Sequence, residues 1–416
     1  MNSTPGPQGL DVLDIARELV RARSPNPPGD ERATAELVRA LLPELQLPRV
    51  RTIARHESRP NLLITVDFGP GGRHLVLSGH LDTKPVADAT WSVDPFGADV
   101  EGDRLYGLGS ADMKGALAAM LVAASRLASD TPSRGRLSLL FTADEENGSA
   151  YGAHHVAQSV PLHADGVVIG EPGGIEEDYD RLHLVSRGIA RLRLVAGGRQ
   201  GHSSLSDELG TRNAGVDAAR FVTEVADSLA VDTPENVHGL SGWKPTVNTG
   251  MAYRGGVGFG VLPGVMAVDT EVRLLPGMRR EAVGEAFTAL AGRISQKTGG
   301  EYQIEFDQPP NDWLPATLVA PGNPLVVEAR AAWWAVLNTD PTMAVFPGTT
   351  DATWFDALQG LPTLPALGPG LLRRAHAADE WVSIRAVRQA VEIYTHFATA
   401  YCSGDPIPAA REEIQR

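Results

Sequence analysis

The chain is predicted to fold as α/β, a layered domain of strands alternating with helices into which a smaller α+β sandwich is inserted. Two observations predict this. Short apolar runs alternate with helix-length amphipathic stretches over residues 1–184 and again over 310–416, the pattern of layered sheet and helices. Over 185–309 the order changes to several β-like runs around two helical stretches, which fits a small two-layer sandwich. The domain reading is therefore a first part at 1–184, an insert at 185–309 and a second part at 310–416.

The elements follow in order. Residues 11–23 and 31–45 read as amphipathic helices, parted by Ser24-Pro25-Asn26-Pro27-Pro28-Gly29-Asp30, a turn-rich break in which Asp30 is the candidate N-cap. Strands are expected at 61–67 and 74–79, then an Ala/Leu/Met-rich helix near 113–128. The strand Leu137–Thr142 runs into Ala143-Asp144-Glu145-Glu146, a helical stretch follows near 149–159, and the strand Gly166–Gly170 ends in Glu171-Pro172. In the insert, 189–195, 245–253, 265–275 and 301–307 are β-like, with helices at 211–229 and 279–296. The α/β pattern resumes with helices at 323–338, 350–359 and 383–401 and strands at 342–346 and 363–367.

Composition narrows the function classes. A net charge of −14 and a sequence pI near 5.3 disfavour a nucleic-acid or anionic-membrane surface. No run of about 18 apolar residues is present, so no membrane span is expected. The amino terminus lacks the basic start and apolar core of a secretory signal, which predicts a cytoplasmic protein. With Cys402 the single cysteine, any metal must be held by His, Asp and Glu.

Chemistry concentrates at strand ends. In Leu77-Ser78-Gly79-His80-Leu81-Asp82, residues i and i+2 of a strand face one side, so the His80 imidazole and Asp82 carboxylate can converge, as a metal ligand and its orienting acid would. Asp112 follows Gly107-Leu108-Gly109 and precedes a helix; it reads either as an N-cap or as a carboxylate bridging two cations. Glu145 and Glu146 repel each other unless a cation or solvent separates them. A solvated acidic turn is one reading; the other has one carboxylate on a metal and its neighbour taking a proton from water whose pKa zinc lowers to about 7. Glu171 and His376 supply a further oxygen and imidazole. Together these fit two metals roughly 3.5–4 Å apart.

At His80-Leu81-Asp82, Gly109–Gly115, Asp144-Glu145-Glu146, Gly170-Glu171-Pro172, Gly201-His202-Ser203-Ser204 and Ala375-His376 the chain resembles the dinuclear zinc hydrolases that include aminoacylase, carboxypeptidase G, acetylornithine deacetylase and succinyl-diaminopimelate desuccinylase. The likeness runs in order from about residue 12 to residue 400. It implies a mixed-sheet zinc-peptidase catalytic domain with an inserted lid and dimerisation domain. It further implies that His80 and Glu171 hold one metal, Glu146 and His376 the other, and that Asp112 bridges. Glu145 would be the general base, Asp82 the partner of His80, and His202 the residue that reaches a neighbouring subunit's site to steady an oxyanion. The metals would be Zn2+, with Co2+ or Mn2+ also accepted by such ligands.

For substrate, the resemblance places Arg273 opposite a substrate carboxylate and puts Thr350 and Gly370 beside the substrate. This chain departs from the family pattern there, with Gly260 in place of an asparagine and Glu271 in the Asp-x-Arg segment. The expected reaction is hydrolysis of an N-acyl amino acid, with a dipeptidase, aminopeptidase or carboxypeptidase as the nearest alternative and a non-catalytic binding relative as another. A dinucleotide oxidoreductase is excluded because Gly107-Leu108-Gly109 lacks the third glycine and follows no clear strand.

Overall fold

The computed structural model describes residues 11–86, 90–130, 132, 134–208, 210–232, 234 and 242–407. Its contacts divide the chain into two compact units. One comprises Met1–Ser186, Leu318–Phe346 and Thr350–Arg416, and the other Arg187–Thr317 with Pro347–Thr349.

The first unit is organised by a six-stranded mixed sheet in the order Arg51–Ile53, Asn61–Gly69, Gly135–Thr142, His74–His80, Gly166–Ile169, Thr363–Leu364. The last four run parallel, so their carboxyl ends lie along one edge. Parallel strands buried on both faces need continuous apolar runs, and Leu75, Val76, Leu77, Leu139, Leu140, Val167 and Val168 are all solvent-free. Helix Gly115–Ser129 is apolar nearly all round because it packs between the sheet, helix Val12–Arg21 and helix Ile384–Ser403. Gly79 permits this approach: a β-carbon there would meet Met113 and Leu117 at 2.4 and 2.7 Å.

The second unit is a sheet in the order Thr246–Gly255, Val265–Leu274, Gly188–Gly197, Glu301–Phe306, all antiparallel, with Trp313–Leu314 adding to Gly188–Gly197. Helices Ala214–Ser228 and Arg280–Thr298 cover one face. Leu192, Leu194 and Ala196 point inward at a spacing of two, against Phe221, Phe287 and Leu290.

Asp30 meets the first turn of the second helix as a cap would, its Oδ1 accepting the Arg32 backbone amide at 3.2 Å while the same carboxylate holds the Arg32 guanidinium; Glu31 stands between it and helix Arg32–Leu41. One local reading is corrected: Asp112 is no N-cap, because it lies three residues before helix Gly115–Ser129, whose N-cap position is Lys114. The strand Arg181–Ser186, pairing in parallel with Thr342–Phe346, has no counterpart in the sequence pattern. Among the described residues no helix is long and apolar enough to cross a membrane.

The carboxyl-terminal helix seals the core, with Cys402 fully buried and its thiol donating to the Arg136 carbonyl at 3.2 Å. Burial pushes the thiol pKa up to about 12, far from the reactive thiolate. In native buffer at about pH 8, a thiol reagent should therefore label the protein only as fast as it unfolds. Stoichiometric labelling on mixing would show this helix to be undocked.

Candidate metal centre

Three parallel strands and two turns of the first unit deliver the acidic and imidazole groups to one place. His80 closes its strand, with backbone register opposite Thr142, so the Asp144-Glu145-Glu146 turn emerges beside it. Glu171 follows the next strand, whose Gly170 amide donates to the Ser78 carbonyl at 2.9 Å. Asp112 sits on the turn before helix Gly115–Ser129, and His376 on the loop after Leu372–Arg374. Asp144 and His376 hold left-handed backbones, φ 63° and 60°, conformations that non-glycine residues adopt at a cost and that concentrate at functional sites.

His80, Asp112 and Glu171 each offer a ligand atom within 4.8 Å of the others, and so do Asp112, Glu146 and His376. Asp112 belongs to both groups. Its Oδ1 lies 3.0 Å from His80 Nε2 and its Oδ2 3.2 Å from His376 Nε2, so one carboxylate faces two ways. Glu171 Oε1 stands 3.6 Å from His80 Nε2, and both oxygens of Glu146 stand 3.1 Å from His376 Nε2. Nitrogen and oxygen donors without thiolate suit a divalent ion such as zinc, cobalt or manganese.

Electrostatics point the same way. Burial, reinforced by Asp112, lifts the Glu171 carboxyl well above its usual range, and burial with Asp351 and Glu146 nearby does the same for Glu145. Burial alone would depress the His80 imidazole, yet the hydrogen bond to Asp112 outweighs it and the pKa rises well above normal. At His376 burial again opposes, and contacts to Asp112 and Glu146 raise the pKa to about 10. The cluster thus demands positive charge, which protons supply without an ion and cations supply with one.

Asp82 is buried beside His80, but its carboxylate is 3.7 Å from His80 Nδ1, while its backbone carbonyl is 2.9 Å away. The carbonyl takes the hydrogen bond of the ring, with the expected carboxylate in ion-pair range behind it. The Asp82 carboxylate accepts the amides of Glu145 and Glu146, at 3.2 and 3.1 Å, and the Asn26 amide at 2.9 Å. Asn26 also reaches Asp144, which Arg59 binds at 2.7 Å while pairing with the buried Glu31. Lys84 pairs with Glu146 Oε2 at 3.1 Å and also contacts its carbonyl. Asp351, beside Thr350, accepts from the hydroxyls of Thr142 and Ser149, and burial pushes its pKa up to about 6. None of Asn26, Arg59 or Lys84 carries a sequence signal of a site beyond lying near a turn.

The remaining candidates are not among these donor groups. Thr350 is buried, its hydroxyl accepting the Ala352 amide at 3.3 Å, a local helix-start contact. Gly370, φ +104°, is buried with an implied β-carbon 3.2 Å from Ala111, so close packing accounts for the glycine. Arg273 and His202 belong to the second unit. Arg273 Nε holds Glu271 at 3.0 Å, a pair along its own strand. His202 is exposed and its Nδ1 receives the Ser204 amide and hydroxyl. Arg187, missed in the sequence, donates to the Arg273 carbonyl and the Thr246 hydroxyl on the same sheet.

Residues 76–400 match peptidase family M20/M25/M40. The chain belongs to that family. A succinyl-diaminopimelate desuccinylase of Parvibaculum lavamentivorans is 28% identical over 404 residues, 95% of this chain and 96% of the relative. An acetylornithine deacetylase of Salmonella heidelberg is 29% identical over 85% of this chain and 86% of its own. Among solved structures, an M20 family metallo-carboxypeptidase of Sulfolobus solfataricus shares the fold with a TM-score of 0.76 and 20% identity, over 94% of this chain and 99% of that one. The protein is thus a metal-dependent hydrolase of amides.

Because Asp112 is common to both donor sets, Asp112→Asn should weaken binding of both ions, whereas His376→Ala should remove one and leave the other. Calorimetric titration of metal-free protein reads this directly. Two equal sites surviving in Asp112→Asn would contradict the shared carboxylate.

Proposed function

We propose that the protein hydrolyses the amide bond of N-acyl-L-amino acids, with His80, Asp112 and Glu171 holding one divalent ion and Asp112, Glu146 and His376 a second, most simply Zn2+. The observation that carries this reading is the two-faced Asp112, which gives one oxygen to each imidazole. When bound, the ions supply positive charge that polarises a carbonyl and acidifies water.

The chain's own groups account for the proton traffic. Glu145 is adjacent to Glu146 and absent from both donor groups, and the Asp82 carboxylate fixes both backbone amides, so the turn that carries the Glu145 side chain is anchored. Burial raises its affinity for a proton, and cations beside it would act in the opposite sense. Glu145 takes a proton from the attacking water and returns it to the leaving nitrogen. His202, whose Nε2 has no partner among the described residues, is assigned to the oxyanion of the tetrahedral intermediate, delivered from a second copy of the chain.

Deacylation is favoured over peptide cleavage because the two relatives named above act on acylated amino compounds and are matched along most of their length. On the substrate side, Arg273 would take the amino-acid carboxylate, with Glu271 and Asn248 fixing its orientation. Dimerisation through the second unit is supported by the edge strand Thr246–Gly255 and its continuation, where Met251, Tyr253, Val257, Phe259 and Val265 are all exposed.

Glu145→Gln should keep both ions and lose roughly 100- to 10,000-fold in kcat. Screening N-acetyl, N-succinyl and N-formyl amino acids against free dipeptides should show turnover of an acylated amino acid; cleavage of dipeptides alone would transfer the protein to the peptidase reading. Phe259→Asp should shift a dimer toward monomer in light scattering, and an unchanged mass would place the interface elsewhere.

A further inference from the structure

Glu380 lies four residues beyond His376 and is fully buried, a position where an unpaired carboxylate would be costly. It is not unpaired. Glu380 Oε1 accepts the amides of Ala111 at 2.9 Å and Asp112 at 3.0 Å, and Oε2 accepts that of Gly109 at 3.1 Å. The Glu380 carbonyl also receives the Gly107 amide at 2.9 Å. Gly107 and Gly109 have left-handed φ of 147° and 79°, which turns the amides of this loop toward one point. A single carboxylate therefore closes the turn that presents Asp112, from the same loop that presents His376.

We propose that Glu380 is a positioning residue for the metal centre: by anchoring the backbone amide of Asp112 it fixes the direction of the shared carboxylate and ties the His376 loop to it. The inference rests on the reading of the cluster as a two-ion centre. Metal ligation depends on the groups that orient the ligands, and loss of such a partner typically lowers affinity about 10- to 100-fold. Because Asp112 serves both ions, the effect of losing Glu380 must fall on both. Removing a feature that shaped only the His376 loop would touch one.

The test is calorimetric titration of the metal-free full chain with Zn2+ and Co2+, comparing wild type with Glu380→Gln, Glu380→Asp and Asp379→Asn. Glu380→Gln replaces an acceptor oxygen with an amide donor facing N–H groups, and Glu380→Asp shortens the reach while keeping the charge. Asp379 is the control, since its carboxylate binds Ser92 at 2.7 and 2.8 Å away from the turn. Both Glu380 variants should weaken both ions about 10-fold or more, and Asp379→Asn should bind as wild type. Wild-type affinities in Glu380→Gln, or weakening confined to one ion, would overturn the proposal.

If wild type takes up fewer than two ions, it is the two-ion reading that fails. Should the Glu380 variants not fold, hydrogen exchange of the wild-type Gly109, Ala111 and Asp112 amides decides. Strong protection in the metal-free protein is expected, and free exchange would overturn the anchoring role.

Discussion

Like charge brought together out of water is the constraint on which this molecule depends. Asp82, Asp112, Glu145, Glu146 and Glu171 gather around two imidazoles, and each carboxylate must find a positive or hydrogen-bonding partner or surrender its charge. The chain answers in layers. Imidazoles face the carboxylates that point inward, backbone amides satisfy Asp82, and Arg59 and Asn26 satisfy Asp144 behind it. What is left over is a deficit of positive charge at two places sharing one aspartate.

The sheet explains why the groups meet. Parallel strands place their carboxyl ends along one edge, and the turns leaving them can be polar because the strands below are largely apolar. The same arrangement binds scaffold to chemistry. Register between His74–His80 and Gly135–Thr142 sets the spacing of His80 from the Glu145-Glu146 turn, and a slip of one residue would turn His80 away. Stability of the apolar strands and geometry of the polar turns are thus one property.

Much of this was legible in the sequence, and the reason is local. His80 and Glu171 end apolar runs, a pattern visible within a few residues, and the Glu145-Glu146 pair announces itself by its repulsion. Asp112 was ambiguous because an aspartate before a helix satisfies either a cap or a ligand role; only the helix start at Gly115 and the facing imidazoles separate the two. Asn26 and Arg59 were silent, since Asp82 and Asp144, the acids they hold at the site, lie 56 to 118 residues away and nothing in the flanking residues marks them. The carbonyl of Asp82 as the His80 partner was equally out of reach, because side-chain pattern carries no information about which backbone oxygen a ring will meet. The sandwich of the second unit could be read from alternation, whereas the short strand Arg181–Ser186 could not, its partner Thr342–Phe346 being supplied only after the insert.

The separation of the ligands along the chain has a consequence for biosynthesis. His80 leaves the ribosome long before His376, with the whole Arg187–Thr317 unit between them. Nascent protein therefore carries an acidic half-centre without its second imidazole, and without the Thr363–Leu364 strand and terminal helix that complete the first unit's sheet and core. The donor group that includes His376 is in this way completed only late in synthesis, and a product truncated before residue 376 lacks it.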